Sequence, residues 1–320
     1  MREITEAINS ARHIAIMGHK KGDTDCFGSA FGLALGLAKL GKDTRVIAPN
    51  EFPDSLNYLF FYFNGEIVNS IDKCDLLIIT DSSDFSRISD PELAQKLKDN
   101  GAKVVLLDHH TRGDLTEFVD SYIIDATASS ASELSYYLLE TLGVEIDKNI
   151  ATCLLAGIIG DTTSFQNQNT TEKTFAASSE LMKHGARLNN IVNNTFGNKE
   201  VDVLRVWGLA MERLKTDKEH GIVSTYLTYD DINNYGLSAD ATSGVVNFLN
   251  SIKGAKVVML ITEEEKGIIK VSLRTRDEHA NVASLARQLG GGGHIKAAAF
   301  AFPGSLKRLT EQDKNNIVVI

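Results

Sequence analysis

The sequence predicts an α/β protein: an N-terminal domain with a parallel sheet and helices on both faces, then a smaller C-terminal α+β domain. Short apolar runs without Gly or Pro, such as 103–107, alternate with helical segments in the first part of the chain. That alternation is typical of βαβ units and of strands buried on both faces. After about residue 214 strands predominate, and residues 268–274 alternate as a half-buried strand does.

Strands of the first domain are predicted at the short apolar runs 13–17, 44–48, 76–80, 103–107 and 122–124. Helices are predicted at 4–11, 26–40, 91–98, 130–142, 149–160 and 171–184. Local signals support these boundaries. Pro91 suits a first helical position, Ser130 and Glu133 have the spacing of a capping box, and Gly41 and Gly185 each follow a helix as a C-cap glycine does.

An Asn-rich polar stretch and a further helix separate the two domains. We therefore predict a first domain over 1–185, a helical linker over 186–214 and a second domain over 215–320. The second domain is predicted to contain strands at 221–228, 255–262, 268–274 and 297–302, with one helix at 282–289. A Gly-rich loop, 290–293, follows that helix.

The composition is that of an ordinary globular protein. The chain has 320 residues, 43% of them hydrophobic, and a net charge of −9, so a nucleic-acid ligand should be short and held in a local pocket. Three cysteines, without metal-type spacing, favour a reduced cytoplasmic protein. No signal peptide or membrane-spanning segment is expected, because no apolar stretch is long enough.

Acidic and histidine side chains follow four apolar segments of the first domain. Because the carboxyl ends of parallel strands meet at one sheet edge, we expect these side chains to lie together. Carboxylates and imidazoles suit Mn²⁺, or else Mg²⁺ or Co²⁺, better than a structural zinc site. They exceed the needs of one ion, whereas two ions roughly 3.5–4 Å apart would use them all. The residues are His19, Asp23, Asp25, Asp81, Asp108, His109, His110 and Asp161.

Each of these residues also has an ordinary structural explanation. A single aspartate after a strand is most often a turn or N-cap residue, and a single histidine is usually structural. Four such positions within one βαβ domain are difficult to assign to caps alone. The pattern therefore favours a two-metal site that activates water for displacement at phosphorus.

The motifs resemble those of the DHH phosphoesterases: His19-x-x-x-Asp23-x-Asp25, Asp81-Ser82-Ser83, Asp108-His109-His110 and Gly160-Asp161-Thr162. Later segments resemble the associated DHHA1 domain: Ser272-Leu273-Arg274, Val282-Ala283-x-x-Ala286 and Gly290-Gly291-Gly292-Gly293-His294. Two positions depart from the family pattern. Gly22 stands where many relatives have Pro, and Ala299 stands where Gly is frequent.

The resemblance implies a role for each residue. One ion would be held by His19, Asp23 and Asp81, and a second by Asp25, Asp81, His109 and Asp161, with Asp81 bridging. His110 would contact the scissile phosphate or its leaving group, and Asp108 would orient a ligand histidine. In the second domain, Arg274, Gly292, Gly293 and His294 would clamp a terminal phosphate through backbone N–H groups and a guanidinium. Without the resemblance, the Gly run would be a flexible turn and Arg274 a solvated residue.

A clamp near the metals favours short substrates, and the two-domain length resembles the nanoRNase/pAp-phosphatase branch. The resemblance thus implies a Mn²⁺-dependent phosphodiesterase or exonuclease that acts on short 5′-phosphorylated RNA or DNA oligonucleotides or linear dinucleotides. It also implies 3′-phosphatase activity on pAp. The alternatives are a RecJ-type single-strand exonuclease, a cyclic-dinucleotide phosphodiesterase, a pyrophosphatase and a non-catalytic nucleotide-binding protein. We expect no membrane partner, and a homodimer is compatible with the sequence.

Overall fold

The computed structural model describes residues 1–48, 52, 54–195, 197, 199–237, 239–242, 244–308 and 317–319. The chain divides into two compact units, Met1–Gly197 and Asn198–Ile320. The division falls inside the segment predicted as a linker. Of the two helices in that segment, α8 (Leu188–Thr195) belongs to the first unit and α9 (Val201–Glu212) to the second.

A parallel sheet of six strands forms the centre of the first unit. Its strands are β1 (His13–Met17), β2 (Asp43–Ile47), β3 (Glu66–Val68), β4 (Leu76–Thr80), β5 (Lys103–Asp108) and β6 (Ser121–Ile124). Their order is β3-β2-β1-β4-β5-β6, and every pairing is parallel. The five predicted strands are confirmed. The edge strand β3 was not predicted, because its three residues carry too short an apolar run to be recognised.

Helices cover both faces of this sheet, as predicted. They are α1 (Arg2–Ser10), α2 (Thr24–Lys39), α3 (Pro91–Asp99), α4 (Leu115–Phe118), α5 (Ala131–Thr141), α6 (Lys148–Asp161), α7 (Glu172–Lys183) and α8. Alternate residues of a strand pack into the two hydrophobic cores on opposite faces of the sheet. Ile14 and Ile16 of β1 pack with α2, α5 and α6, whereas Ala15 and Met17 pack with α3.

The helices α2 and α6 cross at a pair of glycines. A Cβ on Gly28 would lie 2.6 Å from the Cys153 carbonyl oxygen and 2.9 Å from the Gly157 nitrogen. A Cβ on Gly157 would lie 1.9 Å from Ser132 Oγ and 2.6 Å from Asp25 Oδ1. Only glycine therefore permits this approach, which sets the first turn of α2 beside α5 and α6.

The second unit has a mixed sheet with helices. Its strands are β7 (Lys215–Asp217), β8 (Ile222–Leu227), β9 (Val257–Glu265), β10 (Ile268–Arg274), β11 (Gly292–His294), β12 (Ala297–Pro303), β13 (Leu306–Arg308) and β14 (Ile317–Val319). Its helices are α9, α10 (Tyr229–Asn233), α11 (Val245–Leu249) and α12 (Val282–Gln288). The main sheet has the order β11-β12-β10-β9-β8-β7, with only β8 and β9 parallel.

The Gly-rich segment differs from the predicted loop. Gly292–His294 forms the edge strand β11 and pairs with β12 in an antiparallel register that sets Gly292 opposite Ala299. A Cβ on Gly291 would lie 2.1 Å from the Ala299 carbonyl oxygen, so glycine is required there by close backbone approach. Ala299 itself lies in an extended strand that any residue can adopt. Within the described residues, no helix combines the length and apolar character needed to cross a membrane.

Candidate metal centre

Acidic and imidazole side chains converge at the carboxyl-end edge of the parallel sheet. His19 follows β1, Asp81 follows β4, and His109 follows β5. Asp25 lies in the first turn of α2, and Asp161 is the last residue of α6. Atoms from these residues form groups close enough to hold a metal ion, among them Asp25 with His109 and Asp161.

Asp81 lies between two histidines. Its Oδ2 is 3.5 Å from His19 Nε2, and its Oδ1 is 3.5 Å from His109 Nε2. The backbone at Asp81 is left-handed, with φ of 57°, a conformation that aspartate tolerates better than most non-glycine residues. This turn directs the carboxylate back across the strand ends, so that Oδ2 faces His19, while Oδ1 faces both His109 and, at 3.6 Å, His110 Nδ1.

His109 faces three carboxylates. Its Nε2 lies 3.5 Å from Asp81 Oδ1, 3.6 Å from Asp161 Oδ2 and 3.8 Å from Asp25 Oδ2. Neighbouring ligand atoms around an octahedral ion with bonds of about 2.1 Å are about 3 Å apart. The observed spacings are slightly wider than that, so a small contraction around a divalent ion would complete the geometry.

His19 presents one nitrogen to the carboxylates. Its Nδ1 donates to the Lys20 carbonyl oxygen at 2.8 Å, so Nε2 is the nitrogen that faces Asp81. Asp23 Oδ1 is 3.9 Å from this Nε2. Asp23 is also the N-cap of α2, since the same oxygen accepts N–H bonds from Asp25 and Cys26. Capping and metal binding are therefore compatible at this residue.

The Asp25 carboxylate is held by the N-terminus of α5. Its Oδ2 accepts a hydrogen bond of 2.6 Å from the Ala131 N–H, and its Oδ1 accepts one of 2.9 Å from the Ser132 N–H. The helix dipole favours an anion at this end. The sequence explained Ser130 and Glu133 as capping residues, and Ser130 does cap α5. What the sequence did not reveal is that the first free amides of α5 orient Asp25.

Burial and the nearby charges shift several pKa values in this cluster. Burial, with the nearby Asp81 carboxylate, raises the pKa of Asp25 well above its usual range. Burial raises the pKa of Asp161 to about 6. Burial alone would raise the pKa of Asp81 as well, but the facing His109 and His19 lower it. A bound cation would stabilise the charged carboxylates, so the donor set fits a divalent ion in chemistry as well as in spacing.

Asp108 contacts a different histidine from the one expected. It was predicted to orient a ligand histidine, but its Oδ1 accepts a 2.8 Å hydrogen bond from Nδ1 of His110. Side chains two residues apart in an extended segment share one face, whereas His109 points to the other face. Asp108 is fully buried, and Oδ2 has no hydrogen-bond partner in the part of the chain described.

Cys26 was predicted to be a core residue, and it is buried. It also lies beside the site, because its sulfur groups with His19 and Asp81 at a distance compatible with metal ligation. Burial raises the pKa of the Cys26 thiol well above its usual range, which favours the neutral form. A Cβ on Gly22 would lie 2.9 Å from this sulfur, so glycine at this position avoids a steric clash with the thiol.

In the second unit, Arg274 is oriented by side-chain and backbone acceptors. Its Nε donates to Asn247 Oδ1 at 2.7 Å, and its Nη1 donates to the Leu273 carbonyl at 2.9 Å. Asn247 lies on α11, a short helix that the sequence did not predict.

The first two glycines of the run 290–293 use their amides within the unit. The N–H of Gly290 donates to the Arg287 carbonyl, and that of Gly291 to the Ala286 carbonyl, so both amides cap α12. Gly292 and Gly293 lie in the edge strand β11. The side chain of His294 lies outside the described part of the structure.

Comparisons with known proteins agree with the motifs. The model of the DHH family N-terminal domain matches residues 13–158, and the DHHA1 domain model matches residues 219–318. The chain is 28% identical over 299 residues to the bifunctional oligoribonuclease and PAP phosphatase NrnA of Bacillus subtilis, covering 92% of this chain and 91% of that protein. It is also 28% identical to the cyclic-di-AMP phosphodiesterase GdpP of Bacillus subtilis, over 98% of this chain but 49% of that protein.

A solved structure shows the same fold. An exopolyphosphatase-related protein from Bacteroides fragilis matches with a TM-score of 0.84 and 25% identity, covering 98% of this chain and 92% of that one. The two domain models match most of the chain, in the order that the motifs predicted. The chain therefore belongs to the DHH/DHHA1 family and is a metal-dependent phosphoesterase.

Proposed function

We propose that this protein is a two-metal, Mn²⁺-dependent phosphodiesterase that hydrolyses short 5′-phosphorylated oligonucleotides or linear dinucleotides. The observation that carries the proposal is the position of Asp81, whose two oxygens each face a different histidine at 3.5 Å. A carboxylate placed in this way can bridge two ions. The mixture of carboxylate and imidazole donors supports Mn²⁺.

We assign the ligands to two groups, which these contacts support. His19, Asp23 and Asp81 would hold one ion, and Asp25, Asp81, His109 and Asp161 would hold the other. When bound, the ions would supply a hydroxide nucleophile and stabilise charge on the attacking and leaving oxygens of an in-line displacement. Burial of Asp25 and His109 keeps water away from the second group, which strengthens its electrostatic interactions.

His110 is the residue that we assign to the substrate. The hydrogen bond from its Nδ1 to Asp108 fixes the ring orientation, and we assign Nε2 to a phosphate oxygen or the leaving group. Burial alone would lower the pKa of His110, but its bond to Asp108 raises it, so the carboxylate favours the imidazolium that donates to an anion.

We expect Asp108→Asn to lower kcat about tenfold, because an amide is a weaker acceptor and orients the His110 ring less firmly. Steady-state kinetics on a linear dinucleotide would measure this, with KM expected to change little. Asp114→Asn is the matched control, since Asp114 Oδ1 accepts from the Phe85 N–H on a nearby loop and lies outside the ligand groups. Equal kcat values for wild type and Asp108→Asn would contradict the role given to Asp108.

A terminal-phosphate clamp in the second unit would select short substrates. Arg274 has the charge and the fixed orientation that this role needs, and the edge strand β11, which β12 separates from β10, contains Gly292 and Gly293. His294 completes the proposed clamp on the basis of its motif. NrnA of Bacillus subtilis is named an oligoribonuclease and PAP phosphatase, which supports short RNA and also pAp as substrates.

One hydrolysis panel tests the substrate assignment. Linear dinucleotides, pentamers and long single strands of RNA and DNA would be compared with pAp, cyclic di-AMP and pyrophosphate, each with Mn²⁺, Mg²⁺ or a chelator. We expect rates to fall steeply with chain length, and chelation to abolish activity until Mn²⁺ is restored.

Other results would identify other functions. Rates independent of length would indicate a RecJ-type exonuclease. A preference for cyclic di-AMP would indicate the activity named for GdpP, and hydrolysis of pyrophosphate alone would indicate a pyrophosphatase. Tight nucleotide binding without any metal-stimulated hydrolysis would indicate a non-catalytic binding protein and would refute the proposal.

A further inference from the structure

Asn169 lies in the turn that follows α6, and it contacts a proposed metal ligand. Its Nδ2 donates to the Ser129 carbonyl oxygen at 2.7 Å and lies 3.4 Å from Asp161 Oδ2. The carbonyl partner identifies the nitrogen, because only the amide N–H₂ can donate to it. Oδ1 is buried and has no hydrogen-bond donor in the described part of the chain, so the contribution of Asn169 rests on its two N–H groups.

The backbone of this turn is unusual. Thr163, Ser164 and Phe165 all have left-handed φ values, of 49°, 55° and 64°. Successive non-glycine residues in this region cost free energy, and such a conformation persists only where neighbouring contacts enforce it. The bond from Asn169 to Ser129 is one such contact, since it ties the far end of the turn to the segment preceding α5.

Asn169 also connects two segments that carry or position proposed metal ligands. Ser129 begins the segment whose Ala131 and Ser132 amides hold the Asp25 carboxylate. Asp161, the second contact of Asn169, faces His109 Nε2 in the same ligand group as Asp25. One side chain therefore connects the Asp161 carboxylate to the segment that holds the Asp25 carboxylate. Within the described residues, Asn169 makes no hydrogen bond to His19 or Asp23.

We propose that Asn169 is a positioning residue for one of the two ions, the one held by Asp25, His109 and Asp161. The inference rests on the proposed two-metal site and adds to it a residue that touches neither metal nor substrate. Partners that orient metal ligands commonly contribute 10- to 100-fold in affinity. The loss should fall on one ion only, because the contacts of Asn169 lie on one side of the bridging Asp81.

The test is calorimetric titration of Mn²⁺ into the chelator-stripped full chain. We expect Asn169→Ala to weaken one of two binding events by about 10- to 100-fold and to leave the other unchanged. His19→Ala, which removes a ligand of the other ion, should weaken the event that Asn169→Ala preserves.

Asn167→Ala is the matched control. Asn167 Nδ2 donates to the backbone carbonyl of Asp161 at 2.8 Å and to Thr163 Oγ1 at 3.2 Å, so the variant truncates an equal side chain in the same turn without touching the carboxylate. It should leave both binding events unchanged. Unfolding of each metal-free variant, followed by circular dichroism, would show whether the turn itself is destabilised.

Asn169→Leu separates hydrogen bonding from shape. The similarly shaped, uncharged leucine cannot donate to Ser129 or Asp161, so it should weaken the same binding event at least as much as Asn169→Ala does, even if the alanine variant folds poorly. Wild-type affinity in Asn169→Leu, or equal weakening of both events in Asn169→Ala, would overturn the inference. A wild-type protein that binds fewer than two ions would instead refute the proposed function.

Discussion

Asp81→Asn is expected to reduce kcat by ~10³-fold or more, equivalent to about 4 kcal/mol of lost transition-state stabilisation. The neutral amide cannot bridge two cations, so both proposed ions lose a ligand at once. Asparagine is the sharpest replacement because, like aspartate, it tolerates the left-handed backbone found at this position. Steady-state rates at saturating Mn²⁺, with a dinucleotide substrate, would measure the loss.

Asp84→Asn serves as the control for Asp81→Asn. It makes the same chemical change three residues along the same loop, at a carboxylate that belongs to none of the ligand groups found among the described residues. We expect its rate to match wild type. Circular dichroism spectra of the metal-free wild type, Asp81→Asn and Asp84→Asn should be the same, as expected if all three proteins are folded. Near-normal turnover of Asp81→Asn at saturating Mn²⁺ would rule out a shared bridging ligand.

Arg274→Ala is expected to raise KM about 100-fold for substrates with a terminal phosphate, because a charge-assisted hydrogen bond contributes about 1.5–3 kcal/mol. Asn247→Ala should have a smaller effect in the same direction, since the Arg274 Nε bond to Asn247 Oδ1 orients the guanidinium. KM and kcat would be compared for matched dinucleotides with and without the 5′-phosphate.

Arg276→Ala is the control for the clamp. Arg276 follows β10 with an exposed side chain, so its removal changes the charge of the unit equally without altering the contacts of Arg274. We expect wild-type KM values. If Arg274→Ala raised KM equally for substrates with and without the 5′-phosphate, Arg274 would not bind that phosphate. This result would not affect the assignment of the metal ligands.

Local sequence patterns were sufficient for most of the architecture. The five main strands and six predicted helices of the first unit are present, because buried parallel strands and capped helices carry their signals within a few residues. The same locality explains the omissions. The edge strand β3, the strand β11 in a glycine run and the short helix α11 are stabilised by neighbours that are distant in sequence.

The donor types for a metal site were likewise evident in the sequence, whereas their arrangement was not. Asp25 is oriented by amides 106 residues away, and Asp108 bonds to His110 because alternate side chains share a face. Asn169 carried no recognisable signal, since its partners Ser129 and Asp161 meet it only in the folded chain. The sequence by itself determined which atoms can bind metal; the tertiary structure decided which of them face each other, because hydrogen bonds between distant segments set their separations.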